Sequence, residues 1–301
     1  MIYYFVAAQE SYAMKSFLSS WGKGLTDQIK IVTYEAFFAG QQQVPESGAS
    51  YIFSTFGLLQ RMGSEKYSTI CDLHARLVNA CGPAKVLNDP RKALSRYEFL
   101  RTLFEKGINR FNVYRLHEVP FRFPVFVRRE AGTEYNEPQL LHKKSDYDMT
   151  VQWATWMWKS LDGLVAIEFC DTADPSGLFR KYGAFVVGGR IVPRHVFFSR
   201  SWLVKLADLT EPSMIEEELA YLDHNPHAEL LLECARIAQI LYGRIDYGLL
   251  DGHPQIWEIN INPMLASQIA NAIPARRSAN LKFVAMITQA FAALDAGYGV
   301  R

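Results

Sequence analysis

The chain has 301 residues, 49% hydrophobic and 21% charged, with 32 basic against 31 acidic side chains and a formal net charge of +1. That composition is ordinary for a folded protein, and the length suits two or three units with substantial cores. No basic stripe, acidic tail or apolar run of ~18–20 residues is present, so neither a nucleic-acid nor a membrane partner is expected.

The opening stretch MIYYFVAAQES has no basic lead-in and reads as a first strand over Ile2–Ala8 rather than a targeting segment. Helical spacing follows over Ser11–Trp21. Ile29–Tyr34 and Tyr51–Thr55 are strand-like, separated by the polar loop Gln41–Gly48. Ile70, Leu73 and Leu77 mark a helix over Glu65–Ala80 that Gly82-Pro83 ends, and Lys85–Leu87 is a further strand. This alternation predicts a small parallel sheet covered by helices. Asp89, as N-cap, and Pro90 then predict a helix that runs to Gly107.

A middle α+β unit is predicted from strands near Asn112–Leu116 and Pro124–Arg129, a polar loop at Glu130–Glu137 and a helix over Thr150–Leu161. Trp153, Trp156 and Trp158 in that helix are expected to bury their rings, with a domain or dimer contact as the other use for them. The strand Leu164–Phe169 leads to a loop at Cys170–Ser176. Tyr182–Val187 and Arg190–Phe198 form a hairpin about Gly188-Gly189, a pair suited to the left-handed angles of a two-residue turn. Helices are predicted at Glu216–Tyr221, Ala228–Leu241 and Leu281–Leu294. The four cysteines, Cys71, Cys81, Cys170 and Cys234, lack CxxC spacing and read as reduced, mostly buried thiols, which points to the cytoplasm.

The chemistry concentrates in GRIDYGLLDGHPQIWEININP, residues 243–263. Apolar residues alternate about an Asp251-Gly252 turn signal, yet Arg244, Asp246, Glu258 and Asn260 interrupt them. A three-residue turn, Asp251–His253, pairs Leu250 with Pro254 and hence Asp246 with Glu258; a two-residue turn would set Asp246 opposite Trp257. The three-residue register is the expectation, with Ile256, Glu258 and Asn260 on one face and Trp257 and Ile259 on the other. Two carboxylates that close repel, and a divalent cation with room for phosphate oxygens relieves the conflict. Surface acids merely paired with neighbouring arginines are the plainer alternative that spacing leaves open. On the Gly188-Gly189 hairpin, residue 183 is expected opposite 194, so that Lys181 and Arg194 share a face. Two cations there call for an anion, or else are solvated.

These residues resemble the C-terminal signature of the ATP-grasp superfamily, with Arg244-Ile245-Asp246 and Glu258-Ile259-Asn260 followed by Asn262-Pro263. The resemblance spans about residues 85–265. It implies an ATP-grasp fold with both α/β and α+β parts: a Rossmann-like parallel sheet over 1–88, a lid over 89–165, and a C-terminal unit over 166–301, with ATP between the last two. It implies Mg²⁺ held by Asp246, Glu258 and Asn260, with two catalytic cations: Arg244, steadying the transferred phosphoryl group or the charge of a tetrahedral intermediate, and Arg194, facing the phosphates or substrate. Nucleotide contacts are implied at Arg96, at Arg128 or its neighbour Arg129, at Lys181, and at the hinge Glu168, Phe169 and Cys170, with Asp171 toward the ribose. The implied activity is ATP-dependent joining of a carboxylate, activated as an acyl phosphate, to an amine; either substrate could be a peptide. The alternatives are a kinase of the same fold and a nucleotide-binding regulator without catalysis. A homodimer is the commonest oligomeric outcome.

Overall fold

Three β-sheets packed against helices set the architecture. The protein is represented by a computed structural model that describes residues 1–130, 138–205, 207–266 and 273–297, with Trp158 described through its backbone alone. Beyond Glu130, the polar loop expected at Glu130–Glu137 lies outside the described residues. Among the described residues no helix is long and apolar enough to cross a membrane.

The first sheet is parallel, in the order β2-β1-β3-β4, from β1 (Ile2–Val6), β2 (Ile29–Thr33), β3 (Ser50–Phe53) and β4 (Val86–Leu87). Every residue of β1 is buried, as a central strand covered on both faces requires. One face packs under α4 (Ser64–Cys81) through Ile70, Leu73 and Leu77, with Phe5 and Phe53 stacked 4.5 Å apart beside them. The other meets the closing helix α9 (Arg277–Ala296), whose Phe283, Ile287 and Phe291 share a core with Ile2, Tyr4 and Val6.

Asn88 ties this unit to the rest. It sits in the left-handed region (φ 66°) and donates from Nδ2 to the carbonyls of Phe53 (3.0 Å) and Tyr242 (2.8 Å). Its Oδ1 accepts from the backbone N–H groups of Leu241 (2.8 Å) and Tyr242 (2.9 Å). The helix expected from Asp89 does not form there. Residues 89–95 make turns, and α5 (Arg96–Glu105) starts from Ser95, whose hydroxyl accepts from the Glu98 N–H while the Glu98 carboxylate accepts from the Ser95 N–H. That capping box outcompetes Pro90 as a helix start because it satisfies two orphan donors at once.

The second sheet is antiparallel, β5-β7-β6, from β5 (Val113–Arg115), β6 (Val125–Arg129) and β7 (Leu164–Glu168). All of β7 belongs to it, so the expected boundary at 165/166 falls within a strand. One face packs α6 (Lys144–Trp158) through Val125, Ala166 and Tyr147; the other presents Phe126, Arg128 and Ile167. The third sheet, β11-β10-β8-β9, contains β8 (Phe179–Val187), β9 (Arg190–Ser199), β10 (Tyr242–Leu250) and β11 (His253–Asn260). Its outer face is covered by α7 (Pro212–Asp223) and α8 (Ala228–Ala238) around Tyr182, Tyr221 and Tyr247. Its inner face is covered by α9 at one end and open at the other.

Asn88 is fully buried, so Asn88→Ala leaves two carbonyls and two N–H groups without their partner. We expect a loss of about 3 kcal/mol in chemical unfolding, measured against a surface Asn→Ala control.

Candidate active site

Asp246 and Glu258 do stand directly opposite each other on β10 and β11, by a route different from the expected one. The turn has two residues, Asp251 (φ 51°) and Gly252 (φ 77°), and pairs Leu250 with His253. Left-handed angles at both positions make it the hairpin turn that matches strand twist. A bulge at Trp257 then shifts the register by one, so that Tyr247 faces Ile256 while Asp246 faces Glu258. The faces change accordingly. Ile256 joins Ile245 and Tyr247 in the core, and Trp257 moves to the side of Glu258 and Asn260. Gly248 makes this fit: a Cβ there would lie 2.6 Å from the Trp257 ring.

A second bulge works in the same way on the neighbouring hairpin. Gly188 (φ 56°) and Gly189 (φ 87°) form the expected two-residue turn, but Arg194 is the extra residue and Gly183 pairs with His195. Pairing therefore runs in one row across four strands, Glu258, Asp246, Gly183, His195. The His195 ring lies over Gly183, where a Cβ would stand 2.6 Å from it, and stacks on Phe197 at 3.8 Å. Its Nε2 is buried with no hydrogen-bond partner, and burial beside Arg244, Arg194 and Lys181 holds the imidazole neutral, far below the ordinary histidine range. Sequence spacing missed His195; the only hint was a glycine inside a strand opposite it.

The open end of this face and the inner face of the lid sheet enclose a cleft of about 370 Å³. One end is apolar, walled by Phe111, Phe126, Ile167, Trp202, Val204 and Trp257. Trp202 packs at 5.1 Å from Phe126 and 5.6 Å from Phe169. The other end is ionic: Arg96, Arg128, Lys181, Asp246, Glu258 and Asn260 line it. A larger cavity of about 450 Å³, near α4 and α8, is lined by none of these residues.

Arg244 grips Asp246 with two hydrogen bonds, 2.6 Å from Nε and 2.8 Å from Nη2. Arg96 donates to Glu258, and Arg128 Nη2 stands 3.6 Å from the same oxygen. Burial opposes ionisation of Glu258, but Arg96, Arg128, Arg244 and Lys181 together bring its carboxyl down to about 2. Burial also lowers the Lys181 ammonium, with Asp246 opposing it. These four cations exceed the two carboxylates by two charges. Arg128 Nε, moreover, is buried without a hydrogen-bond partner.

Other expected residues are placed differently. Arg194 is absent from the cleft lining: its Nε donates to the Leu265 carbonyl (2.6 Å), its Nη1 to Asn280 (3.1 Å), and its guanidinium lies over Phe283. The bulge that lifts it out of register turns it toward α9. Glu168 lines the cleft, but its carboxylate is held by the Asn112 N–H (2.9 Å), the Tyr114 hydroxyl (2.8 Å) and Arg122 (2.7 Å). Phe169 and Cys170 line it too; burial pushes the Cys170 thiol up to about 11, which fits a structural thiol rather than a nucleophile. Asp171 is exposed, accepts from the Ala173 N–H and stays outside the lining, where Thr172 stands instead. Arg128, not Arg129, faces the cleft.

No protein-family model matches the chain, and no curated protein matches it by sequence. Solved structures do. A D-alanine–D-alanine ligase from Bacillus anthracis complexed with ATP is 14% identical, with a TM-score of 0.52 and 99% of each chain covered. D-cycloserine synthetase DcsG is 14% identical at a TM-score of 0.53, covering 97% of this chain and 100% of its own. The ATP-grasp ligase PsnB, complexed with a phosphomimetic variant of its minimal precursor, Mg and ADP, is 12% identical at 0.53, covering 96% and 97%. The chain has the ATP-grasp fold. Within that fold the cleft lies between the lid sheet and the C-terminal sheet.

The donor set suits a hard cation. Among the described residues no group of three His, Cys, Asp or Glu side chains could hold a metal alone. Two carboxylates and the Asn260 amide oxygen instead suit Mg²⁺, which keeps waters and takes further oxygens from phosphate. Asp246→Ala would leave the Arg244 guanidinium, only 15% exposed, without its carboxylate partner. We expect it to cost about 3 kcal/mol in unfolding free energy, and Asp246→Asn to cost less because the amide oxygen still accepts one of the two bonds.

Proposed function

We propose that the protein is an ATP-dependent ligase that joins a carboxylate to an amine. The observation that carries this reading is the pairing of Asp246 with Glu258 on the wall of a cleft whose ionic end has an excess of cations and whose other end is aromatic. A surplus of buried positive charge is costly unless an anion offsets it. A magnesium-bound nucleoside triphosphate supplies that anion, and its base would lie against the apolar wall that Phe126, Phe169 and Trp202 form. The similar structures are a D-alanine–D-alanine ligase, a D-cycloserine synthetase and an ATP-grasp ligase bound to a variant of its minimal precursor, which supports ligation over other ATP chemistry.

In this reading Asp246, Glu258 and Asn260 hold Mg²⁺, which neutralises phosphate charge when bound. Arg96, Arg128 and Lys181 take phosphate oxygens; the orphaned Arg128 Nε is one such donor. A carboxylate oxygen of the first substrate attacks the γ-phosphorus, the bond to the bridging oxygen breaks, and ADP leaves. The amine of the second substrate then attacks the acyl carbon, loses a proton and displaces phosphate. Arg244, outside the cleft lining and bound through Nε and Nη2 to Asp246, acts through that carboxylate by adding fixed positive charge behind it. Arg194, being outside the cleft lining, acts as a positioning residue through Leu265 and Asn280. Catalysis rests on orientation and fixed charge, with no protein nucleophile. Glu168, Phe169 and Cys170 form the hinge beside the base, while Asp171, outside the lining, takes no part.

A screen of amino acids and short peptides with ATP, Mg²⁺ and hydroxylamine tests this directly. Substrate-dependent hydroxamate, with ADP and free phosphate in equal amounts, is the expected result. Phosphate retained on the product would make the protein a kinase, and no turnover with any carboxylate would favour a regulator. With an active substrate in hand, Glu258→Ala should lower kcat by about 10³-fold or more with the fold intact, and Trp202→Ala should raise KM for ATP about tenfold with a smaller effect on kcat.

A further inference from the structure

Eight large hydrophobic side chains are strongly exposed among the described residues, and six belong to the lid unit: Val119, Phe121, Met149, Trp153, Trp156 and Met157. Four of these are on α6. The helix fastens to the lid sheet through Tyr147, Val151 and Ala154. Its largest apolar groups point the other way, with Met149 62%, Trp153 51%, Trp156 76% and Met157 48% exposed. The sequence pattern predicted buried rings. The reverse arrangement places on the order of 500 Å² of apolar side chain in water on one helix, as much as the largest patch of a typical monomer.

We propose that this face of α6 is the contact between two copies of the chain, packed antiparallel about Trp153. Met149, Trp153 and Met157 follow one another at intervals of four, forming a single ridge of the kind that interdigitates between crossed helices. The ridge is also palindromic. In an antiparallel pair centred on Trp153, Met149 of one copy meets Met157 of the other, Met157 meets Met149, and Trp153 meets itself. A two-fold contact requires this correspondence, in which residue i meets j and j meets i. Charge favours the same sense: Lys159, just past the end of α6, comes to Asp146 of the other copy, and the helix dipoles oppose.

A stable interface buries about 800 Å² on each partner, so the ridge alone would form its apolar centre. The turn carrying Val119 and Phe121 is tied to the buried side of the start of α6, where the Tyr147 hydroxyl donates to the Leu116 (3.1 Å) and Glu118 (2.9 Å) carbonyls. The pairing leaves the cleft open. The lid sheet presents Phe126 and Arg128 to the cleft and Val125 and Ala166 to α6, so the two surfaces are on opposite sides.

Sedimentation of the full chain tests the proposal. The wild type is expected at twice the 34.3 kDa chain mass at micromolar concentration. Trp153→Glu and, separately, Met149→Glu should each weaken association at least about thirtyfold, with unchanged circular dichroism. Trp153→Cys, on the two-fold axis, should form a disulfide-linked dimer under mild oxidation, while Thr155→Cys, on the other side of the helix, should not. A wild type monomeric at every concentration overturns the proposal, and so does a dimer that both charge variants leave intact. Binding of a monomer to phosphatidylglycerol vesicles through Trp153 would also overturn it, assigning the face to a lipid surface.

Discussion

Two carboxylates on neighbouring strands can share a buried wall only if positive charge is brought to them, and this requirement organises the centre of the molecule. Asp246 is neutralised by Arg244 from its own strand. Glu258 draws Arg96 from α5 and Arg128 from β6, so one side chain gathers cations from two separate elements. The cleft is thereby held together by ionic contacts that a triphosphate and its metal would compete for. In the proposed function, nucleotide binding would drive Arg96 and Arg128 from Glu258 to phosphate oxygens.

Backbone irregularities make this arrangement possible. Regular pairing across the Asp251-Gly252 turn would put Trp257 opposite Asp246, and regular pairing across Gly188-Gly189 would put Arg194 opposite Gly183. Each bulge shifts the following residue into the row instead, and each is accommodated by a glycine, Gly248 under the Trp257 ring and Gly183 under the His195 ring. The result is the row from Glu258 to His195, flanked by the apolar slot on one side and by the Arg194–Asn280 contact with α9 on the other.

Much of this was legible in the sequence. Alternating apolar residues about Asp251-Gly252 and Gly188-Gly189 fixed both hairpins, and acids embedded in one of them marked the site. The turn has two residues rather than the expected three, and Asp246 still faces Glu258 because the bulge restores the register. Bulges depend on how a ring settles over a neighbouring strand, which local spacing does not encode. Other signals were present but outweighed: Ser95 followed by Glu98 marked the start of α5 better than Asp89-Pro90 did. The tryptophans of α6 followed helical spacing, yet spacing alone cannot say which face a helix turns inward when both faces carry apolar residues.

Titration calorimetry with ATP, in the presence and absence of Mg²⁺, bears most directly on the paired carboxylates. If Asp246 and Glu258 form the cation site, Mg²⁺ should tighten ATP binding at least about tenfold, and Asp246→Asn combined with Glu258→Gln should abolish that gain while leaving metal-free binding measurable. Equal affinity with and without Mg²⁺ in the wild type, or a gain that survives the double substitution, would contradict it.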